Sequence, residues 1–77
     1  MTDAFAEIVA GVLEVDPVEV TDDANPDTLP TWTSLRHLQV VAALEDTYGL
    51  SLSYREIRGL RSVGAIRELL RDNGVAV

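Results

Sequence analysis

Ser34 and His37 are the pair of side chains in this 77-residue sequence whose types and spacing could support nucleophilic catalysis. Residues three apart on a helix lie on adjacent turns, so a histidine there could act as the base for a serine. The two would share a convex helix face, however, with no evident oxyanion hole. His37 is the sole histidine of the chain and cysteine is absent. We therefore expect no enzymatic activity and assign no catalytic residue.

The supply of metal ligands is equally poor. One histidine, no cysteine and scattered carboxylates do not reproduce the ligand spacing of a zinc or calcium site. We therefore expect no metal site. The remaining candidate is Ser34 itself, as a reactive hydroxyl at the start of a helix. On that feature alone, a serine there is more often simply an N-cap.

Charge and length restrict the class of partner. Thirteen acidic residues and six basic residues, all of them arginine, give a net charge of −7. Nucleic-acid binding depends on neutralising phosphates with cations, so it is not expected. Basic surfaces of other proteins are the favoured partners.

No apolar run approaches the roughly 18 residues of a membrane span, and the acidic start at residues 1–3 does not resemble a signal peptide. We expect a cytoplasmic monomer with one domain, residues 1–77.

Four segments have helical periodicity. They are residues 3–13, 34–48, 54–58 and 63–72. In the second segment the predicted buried stripe is Leu38, Val41, Leu44 and Tyr48, although apolar residues cover most of the helix circumference. The alternating residues 50–53 have no partner strand and are expected to form an extended connector.

Local capping signals support these boundaries. Thr2 or Asp3 could cap the first helix, and Thr33 or Ser34 the second, which Gly49 would end. Three further signals mark the last two helices: a Ser53–Glu56 capping box, Ser62 as an N-cap and Gly74 as a stop.

A long connection separates the first two predicted helices, from about Glu14 to Thr33. Its prolines interrupt helical structure, and a connection of this length within a small domain is often functional. Five of its apolar residues could hold it against the core: Val15, Val18, Val20, Leu29 and Trp32. The predicted fold is therefore all-α, a small four-helix bundle of three main helices and one short helix.

The run Trp32-Thr33-Ser34-Leu35, followed by Ala43-Leu44-Glu45-Asp46-Thr47-Tyr48, resembles the acyl carrier protein family. In that family an Asp-Ser-Leu signature opens the second helix, and a small-Leu-Glu-Glu-x-aromatic run follows about ten residues later. Here Thr33 stands in place of the aspartate. The third and fourth helices also match, at Glu56-Ile57, Leu60, Ser62-Val63 and Ile66, so the likeness spans essentially the whole chain.

The resemblance implies that Ser34 carries a covalent 4′-phosphopantetheine arm and that the arm holds acyl groups as thioesters. The implied pathways are fatty-acid, polyketide or related specialised-metabolite biosynthesis. The implied partners are a phosphopantetheinyl transferase and acyl-loading or acyl-processing enzymes such as an acyltransferase, a ketosynthase or a ligase. They would dock on the second helix, at Thr33, Leu35, Arg36, Gln39, Val40, Ala43, Glu45 and Asp46.

Several alternatives stay open at this point. Val40 could be a docking contact or part of the core, and His37 could lie near the arm or merely border the core. The domain could also carry glyceryl-type or aminoacyl units. Because Thr33 replaces the family aspartate, the chain could instead be an unmodified helical adaptor with the same fold.

Overall fold

The structure is a computed structural model that describes residues 4–77. Four α-helices follow one another: α1 (Ala4–Leu13), α2 (Ser34–Tyr48), α3 (Tyr54–Gly59) and α4 (Val63–Asp72). A single 3₁₀ turn, Pro17–Glu19, interrupts the long connection between α1 and α2. No strand occurs between residues 4 and 77, so the all-α prediction is confirmed. The expected caps of α1, Thr2 and Asp3, lie outside the described residues.

Hydrogen bonds at the helix ends explain why the boundaries could be predicted. The Thr33 side chain accepts from the backbone N–H of Arg36, and Gly49 ends α2 in the left-handed conformation with φ 66°. At α3, Ser53 and Glu56 form the predicted reciprocal capping box. The side chain of Ser62 caps α4. Each of these bonds satisfies a backbone N–H group that the helix itself leaves unpaired.

The core receives residues from α1, α2, α4 and the long connection, and also Leu60, which directly follows α3. Its least exposed large side chains are Phe5, Val9, Leu13, Val40, Leu44, Val63, Ile66 and Leu70. Among the described residues no polar or charged residue is buried. The connection contributes Val20, Ala24, Leu29 and Trp32 to this core, so it is held in place by apolar packing. Val18, which the sequence analysis placed against the core, is 76% exposed, and that prediction was wrong.

The phase of α2 differs from the prediction at one position. Val40, Val41 and Leu44 are buried and Tyr48 is partly buried, whereas Leu38 is 56% exposed. At about 100° per residue, Leu38 lies well to one side of the direction in which Val40 and Leu44 point. Periodicity could not fix the phase because apolar residues occur on most sides of this helix.

Backbone contacts attach the connection to the start of α4. The Val63 N–H donates to the Ala24 carbonyl at 3.0 Å, and the Gly64 N–H donates to the Asp22 carbonyl at 2.8 Å. The Asp22 carboxylate also pairs with Arg67 Nε at 3.1 Å. Residues 22–24 therefore supply two of the acceptors that the first turn of α4 requires. This junction fixes the start of the segment that leads to Ser34.

Candidate functional site

Ser34 is exposed and occupies the first position of α2. Thr33, not Ser34, supplies the capping oxygen: its Oγ1 accepts from the Arg36 N–H at 3.2 Å. Ser34 could have been only a helix cap, but Thr33 has that role, and the Ser34 hydroxyl is not needed for it. The hydroxyl lies where free backbone N–H groups and the helix dipole favour an attached anion. Ser34 is thus sterically and electrostatically suited to carry a phosphate ester.

Beside Ser34 an open groove of about 650 Å³ runs between α2 and α3. Leu38 and Ile57 give it apolar walls, and the buried Trp32 also lines it. The residues along it are Asn25, Pro26, Asp27, Trp32, Thr33, Ser34, His37, Leu38, Tyr54, Ile57, Arg58, Leu60, Arg61 and Ser62. A groove of this size could accommodate a flexible chain attached at Ser34.

Both ring nitrogens of His37 are engaged. Nδ1 accepts a hydrogen bond from Trp32 Nε1 at 3.1 Å, which places the proton of the neutral ring on Nε2. Nε2 then donates to the Ile57 carbonyl, 3.0 Å away. The Trp32 and His37 rings are also stacked, with centroids 6.0 Å apart. His37 therefore joins the connection, α2 and α3, and neither nitrogen is free to activate Ser34.

The residues predicted to dock partners fall into two groups. Leu35, Gln39 and Asp46 are exposed on α2, as is Thr33 at its start, and Ala43 is partly exposed. These five have the accessibility that a contact surface needs, although their docking role stays a prediction. The exposed apolar area at the start of α2 comes mainly from Leu35, which is 66% exposed, and from Leu38.

Three other predicted docking residues are committed to the fold. Val40 has 0% exposure, so it belongs to the core and cannot contact a partner in this conformation. Arg36 Nη1 donates to the Val12 carbonyl at 2.7 Å, and its Nη2 lies 3.3 Å from Glu14 Oε2. In this way Arg36 ties α2 to the C-terminal end of α1, where a cation is favoured.

The third of these residues is Glu45. Its Oε2 accepts the Leu52 N–H at 2.8 Å and so holds the connector that follows α2. A partner could still approach Glu45, but its carboxylate already has a structural role. Its burial is intermediate, which agrees with that role.

Sequence reasoning missed most of the groove. Leu38 was assigned to the core, and Tyr54, Ile57, Arg58 and Arg61 were given no role. The concentration of arginine in residues 55–61 was a usable signal, because three of the six arginines of an acidic chain occur there. That this segment lies beside Ser34 depends on how α3 packs, which no local pattern reveals.

Comparisons with known proteins identify the family of the chain. No protein-family model matches the chain. The chain is 39% identical over 64 residues to polyketide-8 synthase acyl carrier protein 2 of Streptomyces avermitilis. That alignment covers 83% of this chain and 74% of the relative. The fold and the site together define a class of protein: a small helical domain whose second helix begins with an exposed serine. At this identity and coverage, the chain belongs to the acyl carrier protein family.

Proposed function

We propose that this protein is an acyl carrier whose Ser34 hydroxyl is esterified with 4′-phosphopantetheine. The observation that carries the proposal is the exposed Ser34 at the N-terminus of α2, with Thr33 acting as the cap in its place. Family membership supports the same carrier role. When bound, the arm supplies a thiol, which this cysteine-free chain lacks, and holds acyl groups as thioesters.

Modification would proceed by phosphoryl transfer at Ser34. The hydroxyl oxygen forms a bond to the pantetheine-side phosphorus of coenzyme A, the pyrophosphate P–O bond breaks, and adenosine bisphosphate leaves. The hydroxyl proton passes to the transferase, because the sole imidazole of the chain is already hydrogen-bonded through both nitrogens. Ser34 needs only to be reachable and held at a fixed position. The capped start of a helix meets both needs.

The chain itself forms no bonds in acyl transfer under this proposal. Its residues position the arm and present a surface: Leu35 and Leu38 are exposed and apolar beside the attachment point. The tether raises the effective concentration of the acyl group at each partner enzyme. The name of the Streptomyces relative supports polyketide assembly as the pathway, with an acyltransferase, a ketosynthase or a ligase as partner.

Between residues 4 and 77, no helix is long and apolar enough to cross a membrane. The proposed partners are enzymes that meet the carrier through its α2 surface. The exposed polar contacts there are Thr33, Gln39 and Asp46.

Intact-mass spectrometry tests the proposal directly. The purified chain is incubated with coenzyme A, Mg²⁺ and a broad-specificity phosphopantetheinyl transferase, and the same is done with Ser34→Ala. We expect the wild type to gain the mass of one phosphopantetheine and the variant to gain none. Ser53→Ala, at another helix start, is a matched control that should still be modified. Absence of any gain with several transferases would instead favour the unmodified adaptor.

A further inference from the structure

The groove beside Ser34 has cations on the side formed by α3. Arg58 and Arg61 line it, together with Ser34 and Leu38. Both arginines are exposed, so their guanidinium groups can reach a ligand in the groove without rearranging the core. Two cations facing the same cavity are unexpected in a chain of net charge −7.

Neither arginine is neutralised by a carboxylate among residues 4–77. The ion pairs there involve Arg36 with Glu14 and Arg67 with Asp22. The contact recorded for Arg58 is with the ring of Tyr54, whose centroid lies 5.8 Å from Cζ. That contact orients the side chain but leaves its N–H donors available. Arg58 and Arg61 therefore retain their capacity to bind an anion.

The opposite side of the groove carries one acid, Asp27, which is exposed. The groove thus has two guanidinium groups against one carboxylate. Arg58 lies on α3 and Arg61 directly after it, whereas Asp27 belongs to the connection. Guanidinium groups bind phosphate through paired N–H donors, and such charge-assisted bonds are stronger than neutral ones. The start of α2, where Ser34 lies, also lines this groove and adds a further preference for an anion.

We propose that Arg58 and Arg61 form a phosphate subsite for phosphopantetheine-bearing molecules. Two sources share this chemistry: the phosphates of coenzyme A before transfer, and the phosphodiester of the attached arm afterwards. The second source rests on the proposed function, whereas the first can be tested without any modification. In both cases the pantetheine chain would lie along Leu38 and Ile57.

Nuclear magnetic resonance titration of the unmodified protein tests the first source. Coenzyme A is added without transferase at about 0.15 M salt, where screening limits long-range effects to roughly 8 Å. We expect backbone amide shifts at Ser34, Leu38 and residues 57–61, with weak saturable binding. Pantetheine, which has no phosphate, should cause much smaller shifts, and inorganic pyrophosphate should perturb only the arginine side of the groove.

Matched variants separate the two arginines from general charge. Arg58→Gln and Arg61→Gln should each weaken coenzyme A binding about threefold to tenfold, as expected for an exposed charge-assisted bond. Arg71→Gln removes the same charge from α4, and Arg71 lines neither the groove nor the adjoining depression formed by residues 54–61, so coenzyme A binding by that variant should stay within about twofold of wild type. Helix content by circular dichroism should be unchanged in all three.

Three results would overturn the subsite for coenzyme A. They are the absence of shifts at millimolar coenzyme A, equal binding of pantetheine, and an equal loss of binding in Arg71→Gln. The attached arm is examined through the change in the amide spectrum that modification causes, measured for wild type and for Arg58→Gln, together with the ³¹P spectra of the two modified proteins. A smaller change at residues 57–61 in the variant, with a shifted ³¹P signal, supports binding of the phosphodiester, and equal changes with the same ³¹P signal rule it out. If no transferase modifies Ser34, the proposed function fails while the titration result still stands on its own.

Discussion

Replacing Gly64 with alanine should destabilise this protein, even though alanine is the better helix former. Gly64 is the second residue of α4, and its N–H donates to the Asp22 carbonyl at 2.8 Å. A Cβ atom at this position would lie 2.9 Å from the same carbonyl oxygen and 3.5 Å from Asp22 Cβ. The nearest obstacle is backbone, so the added methyl group has to push the connection away from α4.

The size of the effect follows from opposing contributions. Alanine in place of glycine gains about 1 kcal/mol of helix propensity. Overpacking a close contact costs about 1–3 kcal/mol, and weakening the hydrogen bond to Asp22 adds about 1 kcal/mol. The expected net loss is therefore about 1–3 kcal/mol. For a domain of this size, each kcal/mol lowers the Tm by about 4–8 °C.

Urea unfolding followed by far-ultraviolet circular dichroism measures this loss, and Gly11→Ala is the matched control. Gly11 lies within α1, and nothing comes within 4 Å of a Cβ built there. That variant should gain roughly 0.5–1 kcal/mol from propensity alone. Amide shifts in Gly64→Ala should change at residues 22–27, since this segment leads from the junction into the groove. Equal or greater stability of Gly64→Ala would refute the close approach of the two backbones.

The remaining predictions concern the core, the hydrogen-bond network and the helix cap. Leu44→Ala should destabilise the protein by about 2–5 kcal/mol in urea unfolding, whereas Leu38→Ala should change it by less than about 1 kcal/mol because Leu38 is 56% exposed. Equal losses would show that the phase of α2 is wrong. His37→Phe leaves the Trp32 indole N–H without its acceptor and should cost about 1–3 kcal/mol, with a change in tryptophan fluorescence; an unchanged spectrum and stability would argue against that bond. Thr33→Asp keeps the cap and adds a favourable charge, so it should stabilise by about 0.3–1 kcal/mol in urea unfolding; an unchanged or lower stability would contradict the benefit of a negative charge at the start of α2.

Local signals were sufficient to predict the helices. The Ser53–Glu56 capping box, the Ser62 cap and the left-handed Gly49 each depend on residues within a few positions of one another. Such interactions are fixed by the chain's own geometry before any helix packs against another. That is why the fold class and the start of α2 at Ser34 could be predicted from the sequence.

The local capping and turn signals could not predict contacts between distant segments of the chain. The attachment of residues 22–24 to α4 uses backbone carbonyls, which have no residue-type signature. The exposure of Leu38 depends on which side of α2 the other helices occupy. Arg36 and Glu45 were predicted to contact partners. Arg36 instead binds the Val12 carbonyl, 24 positions away, and Glu45 binds the Leu52 N–H, seven positions away beyond the end of α2. From the sequence alone, a charged side chain that is simply solvated cannot be told from one that forms a structural hydrogen bond, because the difference depends on tertiary contacts.

Acidic and basic residues are concentrated in different segments around Ser34. Six of the thirteen acids occur in residues 14–27, which contain no basic residue, whereas three of the six arginines occur in residues 55–61. A basic partner enzyme is therefore attracted by the connection and repelled by α3, and would approach Ser34 from the connection side. Under the proposed function, Arg58 and Arg61 would favour the anionic arm at close range, while the net charge of −7 keeps the overall field attractive to a basic enzyme. In that case a strongly acidic carrier can place cations beside its attachment point and still attract basic partners.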